Sequence, residues 1–277
     1  MSFLELTAEQ SVYIKKIEAD MLKAFVAICE ENQLQYYLVG GTLLGAVRHQ
    51  GFIPWDDDID VGMPRADYDK FLQIAPKFLP SYYFLQTFES DPGYPLAFAK
   101  LRDSRTTFIE TSMKDLRINH GVFLDVFPLD YYPEKKMQEK KFKLIHKLCS
   151  QRIWASFDKG SQKTILQKII RVISFCLYPT SSAALKRRER LFCEVKKSAF
   201  LKNHSGAWGQ REIMPIKWFG AGEPVVFEGL TVNAPECYAE YLTRMYGNYM
   251  QFPPPEKRVA HHYVKVVDLE KPYTFYV

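Results

Sequence analysis

The stretch Leu38 to Gly62, LVGGTLLGAVRHQGFIPWDDDIDVG, constrains this chain more than any other. Tyr36-Tyr37-Leu38-Val39 reads as a buried strand that ends at Gly40-Gly41. Thr42 to Arg48 follows as a short helix, His49 to Asp57 as a loop punctuated by Gly51 and Pro54, and Asp58 to Val61 as a second strand. Glycines at such a join let the backbone approach a ligand closely, and a helix that starts with Thr42 offers free N–H groups and a partial positive charge to a phosphate. The same join also occurs as a plain tight connection, so the acids decide. In a strand, Asp58 and Asp60 project from one face while Ile59 and Val61 enter the core. Two carboxylates one pleat repeat apart repel, and burying both requires a cation. Mg²⁺ suits them, because it binds through one or two carboxylates plus substrate phosphates. Asp56, Asp58 and Asp60 also match the first positions of a calcium loop, but Val61 stands where Gly is needed and Asp67 where a bidentate Glu belongs, which excludes that reading.

A third carboxylate is expected on a neighbouring strand, and HGVFLDVFPLD supplies it. Asp125 lies between Leu124 and Val126 in an apolar run, where an uncompensated acid is costly. Asp130, beyond Pro128, is placed in a loop. Three converging acids can hold one or two metal ions and leave one of them to accept a proton. Lys100 and Arg102 have strand spacing and share a face; they either neutralise phosphate charge or form a solvated pair bridged to Asp103. Arg48 either reaches a diphosphate or caps its own helix. His49 and His120 read as packing or loop residues, and the His261-His262 pair has no acid at metal spacing.

Around this core the pattern is α+β, a mixed sheet flanked by helices, rather than a regular βαβ alternation. Thr7 and Gln10 have capping-box spacing ahead of a helix over about 8–31. A helix over 66–79 and strands at 82–87, 96–102, 106–110 and 121–127 follow. From Pro133 to about Leu201 the sequence turns helical and basic, and Ile165–Leu177 is an amphipathic stretch within it. Val225–Phe227 and Leu230–Val232 suit a hairpin across Glu228-Gly229, and Pro235 opens a helix to about Tyr246. These shifts divide the chain into a core (1–133), a basic helical subdomain (134–203) and a mixed C-terminal segment (204–277) that packs back on the core.

Charge follows the same division. Residues 1–133 carry 12 basic and 19 acidic side chains, residues 134–197 carry 17 and 5, and the remainder 8 of each, within an overall net charge of +5. The basic block is either a solvated helical face or a surface for an anionic membrane or phosphate-rich polymer. Nucleic acid is not expected, since no recognition motif accompanies the lysines. Cys29, Cys149, Cys176, Cys193 and Cys237 are far apart and lack any CxxC, which argues for a reducing compartment. The first residues, MSFLELTAEQSVYIKK, lack the basic and apolar regions of a signal peptide, and no run approaches the ~18 apolar residues of a spanning helix. The expected location is the cytoplasm, either free or on the cytosolic face of the membrane.

GGTLLGAVRHQGFIPWDDDID, AFAKLRDSRTTFIE, HGVFLDVFPLD and the looser YLTRMYGNYMQFPPPEKR together resemble the LicD family, a branch of the nucleotidyltransferase fold that includes bacterial phosphocholine transferases and, distantly, the fukutin-related proteins. The resemblance implies a nucleotidyltransferase-like sheet with the helical block as an insertion. It matches Gly40-Gly41 to the family's glycine pair and Asp58, Asp60 and Asp125 to its acids, with Asp56 as an auxiliary ligand. It implies Mg²⁺ (one or two ions, Mn²⁺ as a substitute), CDP-choline as donor and a sugar hydroxyl on a lipid-linked teichoic-acid or lipopolysaccharide precursor as acceptor. Asp58, Asp60 and Asp125 would hold the metal on the diphosphate, Gly40, Gly41, Thr42, Arg48, Lys100 and Arg102 would bind donor, and CMP would leave. Choline would need aromatic faces, for which Trp208, Trp218, Phe219, Tyr241, Tyr246 and Tyr249 are available. The alternatives are another CDP-linked donor (CDP-ribitol or CDP-glycerol), nucleotidyl transfer from CTP to a small phosphorylated substrate, and a silent nucleotide- or Mg²⁺-binding regulator.

Overall fold

A computed structural model describes residues 6–155, 164–260 and 262–277. Helix α1 (Ala8–Glu31) opens on the expected reciprocal cap: the Gln10 N–H donates to Thr7 Oγ1 (3.1 Å) and the Thr7 N–H to Gln10 Oε1 (3.0 Å). Its buried stripe, centred on Met21, Leu22 and Phe25, packs on one face of a mixed sheet. That sheet is built from β1 (Tyr37–Leu38), β2 (Asp60–Pro64), β3 (Tyr83–Gln86), β4 (Ala99–Asp103) and β6 (Val122–Tyr131), in the order β1-β2-β6-β4-β3. Only β2 and β6 run parallel; the other neighbours are antiparallel. β7 (Phe200–Asn203) pairs with the end of β6 and with β8 (Ile213–Pro215). β5 (Thr107–Glu110) forms a separate ribbon with β11 (Val264–Asp268). The hairpin of β9 (Glu223–Phe227) and β10 (Leu230–Ala234) turns at Glu228 and Gly229, whose φ values of +48° and +76° are the positive pair a two-residue turn requires.

The remaining helices are α2 (Gly40–His49), α3 (Arg65–Phe78), α4 (Lys136–Trp154), α5 (Ile165–Leu177), α6 (Ser181–Phe192) and α7 (Tyr238–Tyr246). The architecture is the expected α+β one: a mixed sheet flanked by helices, with a helical block inserted between β6 and β7. Among the described residues no helix is long and apolar enough to cross a membrane.

Three local expectations are corrected. The glycine pair is the first turn of α2 rather than a loop before it, with Val39 as N-cap. The acidic strand begins at Asp60, not Asp58, because its parallel ladder with β6 ends where the Asp125 N–H donates to Ile59 O (2.9 Å). Asp58 therefore lies in the loop. Finally, β6 runs through Pro128 to Tyr131, so Asp130 is in the strand and buried. Alternate N–H groups of β6 face β2, and the Pro128 nitrogen points the other way, into the gap between Val126, where pairing with Ala99 of β4 stops, and Leu129, where pairing with Asn203 of β7 begins. A residue without an N–H costs nothing there.

Candidate active site

Strand register alone aligns three charged side chains. Asp60 of β2 stands opposite Asp125 of β6, and Lys100 of β4 stands opposite Asp125 on its other side. The alternation that sets this row on one face puts Ile59, Val61, Leu124 and Leu101 in the core on the opposite face. Lys100 Nζ lies 2.9 Å from Asp125 Oδ1 and 3.9 Å from Glu110 Oε2, over the ring of Phe123 at 3.3 Å. The start of α2 closes on the row from the side. A Cβ at Gly40, whose φ is +58°, would stand 3.0 Å from Asp60 Oδ2, and one at Gly41 only 2.5 Å from Asp56 Oδ2. Both glycines are thus required by carboxylates that press against the backbone. Thr42 ties the two elements together, its Oγ1 accepting the Asp60 N–H at 2.8 Å.

The loop before β2 adds more acid. Asp56, Asp57 and Asp58 each offer an oxygen within 4.8 Å of the others. Glu18 of α1 is buried behind them and its Oε2 has no hydrogen-bond partner among the described residues. Burial and neighbouring acids push Asp56, Asp58, Asp60, Asp125 and Glu18 upward, whereas Lys100 and Arg102 hold Glu110 down against its burial. Asp56 rises to about 6 through burial and Asp57. Asp58 rises to about 7 through burial, against the pull of His262 and with Asp56, Asp125 and Asp57 adding to the rise. Asp60 stands well above its ordinary value through burial, Asp58 and Asp125. Burial raises Asp125 against the pull of Lys100, and Glu18 climbs through burial and Asp58. Burial opposes charge on His262 too, but its contact with Asp57 and the fields of Asp58 and Glu110 carry it to about 9. Carboxylates that gather in one place, lack enough cations and resist ionisation fit a divalent cation, whose charge would reverse each of these shifts.

A family model described as "LicD/FKTN/FKRP, nucleotidyltransferase domain" matches residues 33–157, which span the glycine turn, the acid loop and both site strands. The lipopolysaccharide cholinephosphotransferase LicD of Haemophilus influenzae is 32% identical over 254 residues, covering 88% of this chain and 92% of that protein. The chain belongs to the LicD family. Human ribitol 5-phosphate transferase FKRP is 50% identical over a shorter span of 49 residues, 18% of this chain and 10% of that protein.

Within this LicD-family site, among the described residues, the acids within metal-ligand range of one another are Asp56, Asp57 and Asp58; Asp60 and Asp125 stand beside each other by strand register, with Gly40, Gly41 and Thr42 against Asp60 and Asp56 and Lys100 against Asp125. The structure does not bring Arg102 or Arg48 to the site as free cations. Arg102 is fully buried, donating to Gln86 Oε1 (2.8 Å) and Gly121 O (2.8 Å) and lying 3.7 Å from Glu110. Arg48 sits at the far end of α2, donates to Tyr249 O (3.1 Å) and stacks on Phe252 at 4.7 Å. Helix geometry separates it from Gly40 by roughly 12 Å along the axis. Lys100 is in the row, where Asp125 (2.9 Å) and Glu110 (3.9 Å) engage it. Asp130 proves structural, bound by Arg65 through two hydrogen bonds of 2.7 Å. Of the aromatic candidates, Tyr241 reaches the glycine turn, its hydroxyl 3.5 Å from Gly40 N. Phe219 packs on Tyr37 and Trp208 on Tyr246.

Four residues here escaped the sequence reading. His262 grips Asp57 twice, its N–H donating to Oδ2 (3.2 Å) and Nδ1 lying 3.2 Å from Oδ1, while Nε2 stands 4.0 Å from Glu110. Its neighbour His261 lies outside the described residues. Asp57, Glu110 and Glu18 belong to the same assembly. Nothing in local spacing links them, because the tail reaches Asp57 only through the β5–β11 ribbon; the signal available was that Glu18 interrupts an otherwise apolar helix face.

Proposed function

We propose that this chain transfers phosphocholine from CDP-choline to a sugar hydroxyl of a cell-surface glycopolymer precursor and releases CMP. The observation that carries the reading is the carboxylate row of Asp60 and Asp125 set against the glycine-led start of α2; the near-full-length likeness to a cholinephosphotransferase supports it. Asp58, Asp60 and Asp125, with Asp56 in support, hold Mg²⁺ or Mn²⁺. The ion's contribution is to neutralise the diphosphate and the charge that develops on departing CMP. The backbone N–H groups of the first turn of α2 face the same phosphates, which is the favourable end of the helix for an anion. The acceptor oxygen forms a bond to the phosphorus that carries choline, the bond from that phosphorus to the bridging oxygen breaks, and the hydroxyl proton passes to Asp125. Lys100 opposes the effect of burial on Asp125 and so favours its ionised form. Since phosphoryl transfer is mostly positioning and electrostatics, this set of groups suffices for the step.

FKRP's likeness to part of this chain makes a ribitol phosphate donor the reading to test alongside. The purified protein is given acceptor glycan, Mg²⁺ and one donor at a time: CDP-choline, CDP-ribitol, CDP-glycerol, or CTP with phosphocholine. The expected result is CMP and a choline phosphodiester from the first alone. CMP from CDP-ribitol alone would transfer the mechanism to that donor, and pyrophosphate from CTP would replace it with nucleotidyl transfer.

A further inference from the structure

Helix α5 is amphipathic, but it is docked with its apolar side outward. Along its 13 residues Ser174 alone is buried. Ile165, Leu166, Ile169, Val172, Ile173 and Leu177 all face solvent, with Ile165 exposed to 79% and Val172 to 64%. At 100° per residue these six form one continuous band, and Arg171 and Ser174 lie on the opposite side. That polar side is the one turned to α4, where Arg171 Nη2 donates to Ala155 O (3.2 Å). The helix is capped reciprocally by Thr164 and Gln167, which satisfies two of its N-terminal backbone N–H groups. Its orientation is fixed from behind. Arg152 of α4 donates to Tyr178 O (2.9 Å), Pro179 O (2.8 Å) and Ser181 Oγ (3.0 Å), and lies 4.4 Å from the ring of Phe175. Burying α5 in the protein's own core would require breaking this anchor.

We infer that α5 is an interfacial helix that beds the helical block on an anionic lipid surface. The band is a convex ridge, which suits a planar apolar medium better than a peptide, and a peptide would need a groove. The charge around it selects the lipid. Residues 134–197 carry 17 basic and 5 acidic side chains, and Lys168 is exposed at the flank of the band, placed to meet headgroups while the apolar residues enter the acyl boundary. The same excess opposes a second copy of this chain as the occupant, since pairing two such blocks would bring like charges together. The inference is independent of the donor and acceptor proposed above.

Co-sedimentation of the full chain with phosphatidylglycerol vesicles, and in parallel with phosphatidylcholine vesicles, tests it. Binding to the anionic vesicles, weakening as salt rises, is expected, with much weaker binding to the zwitterionic ones. Ile169→Asp with Val172→Asp should lower the partition by roughly tenfold or more, given what burial of two such side chains contributes. Lys168→Glu should weaken it by a smaller factor. Because these positions are exposed, far-UV circular dichroism and the melting temperature of the variants should match the parent. No binding to anionic vesicles at low salt, equal binding to both vesicle types, or unchanged binding by the double variant would each overturn the inference. So would a dimer in sedimentation velocity that the double variant converts to monomer.

Discussion

Removing one site carboxylate should make the metal-free protein more stable while ending its activity. Asp58→Asn is the sharpest case. A carboxyl whose folded value is raised binds its proton more tightly in the folded chain than in the unfolded one. It therefore subtracts nothing below pH 4, subtracts more as pH climbs from 4 to 7, and subtracts its full amount above that. For Asp58, raised from 3.8 to about 7, the full amount is on the order of 4 kcal/mol. Asparagine keeps the shape and discards the charge, so even half of that recovered, ~2 kcal/mol, should raise the melting temperature by about 5 °C at pH 8 in a chelator. The gain should vanish near pH 4. Adding Mg²⁺ should reverse the order, because a ligand that binds only the folded parent at 100 times its dissociation constant adds about 2.7 kcal/mol and the variant has lost part of its site. Differential scanning calorimetry across pH 4–8, with and without Mg²⁺, reads all of this. A variant no more stable than the parent at pH 8 in chelator, or equally stabilised by Mg²⁺, would refute the reasoning.

Other perturbations should separate the roles of neighbouring residues. Lys100→Met leaves Asp125 as an unpaired buried charge and should cost ~3–5 kcal/mol in urea denaturation at neutral pH, much of it restored by a second change, Asp125→Asn. Gly41→Ala places a methyl 2.5 Å from Asp56 Oδ2; the displaced carboxylate should lower turnover by on the order of a hundredfold in a CMP-release assay, with little change in circular dichroism. His146 and His204 wrap the ring of Phe192, and burial with neighbouring Lys202 holds both down, His146 to about 4. Since the unfolded chain takes up these protons first, stability should fall as pH drops from 6.5 toward 4, by about 3 kcal/mol from His146, and His146→Phe should blunt the fall in a near-UV titration.

The parts of the site that were legible in the sequence are those fixed by local pattern. Gly40-Gly41 and Asp60 lie within one strand–helix–strand passage, and Asp125 is marked by the apolar residues on either side of it. What strand spacing settles is which side chains share a face, and Lys100 and Arg102 do share the face of Phe123 and Asp125. It does not settle whether that face is open, and β5 with Glu110 covers the Arg102 end. Asp-Ile-Asp-Val alternates as a strand would, yet alternation does not say where a ladder ends; the start of pairing at Asp60–Asp125 does. Pro128 argued for a loop because the gap between β4 and β7 that accommodates it is a property of the assembled sheet. His262 was the most distant case, joined to Asp57 across 205 residues of chain.

The central claim is that the carboxylate row holds the donor's diphosphate through a cation. Isothermal titration of CDP-choline into the parent protein and into Asp60→Asn, each with Mg²⁺ and with chelator, addresses it most directly. The expected result is binding by the parent that requires Mg²⁺, and at least a hundredfold weaker, metal-insensitive binding by the variant. Equal affinity in all four titrations would contradict the account.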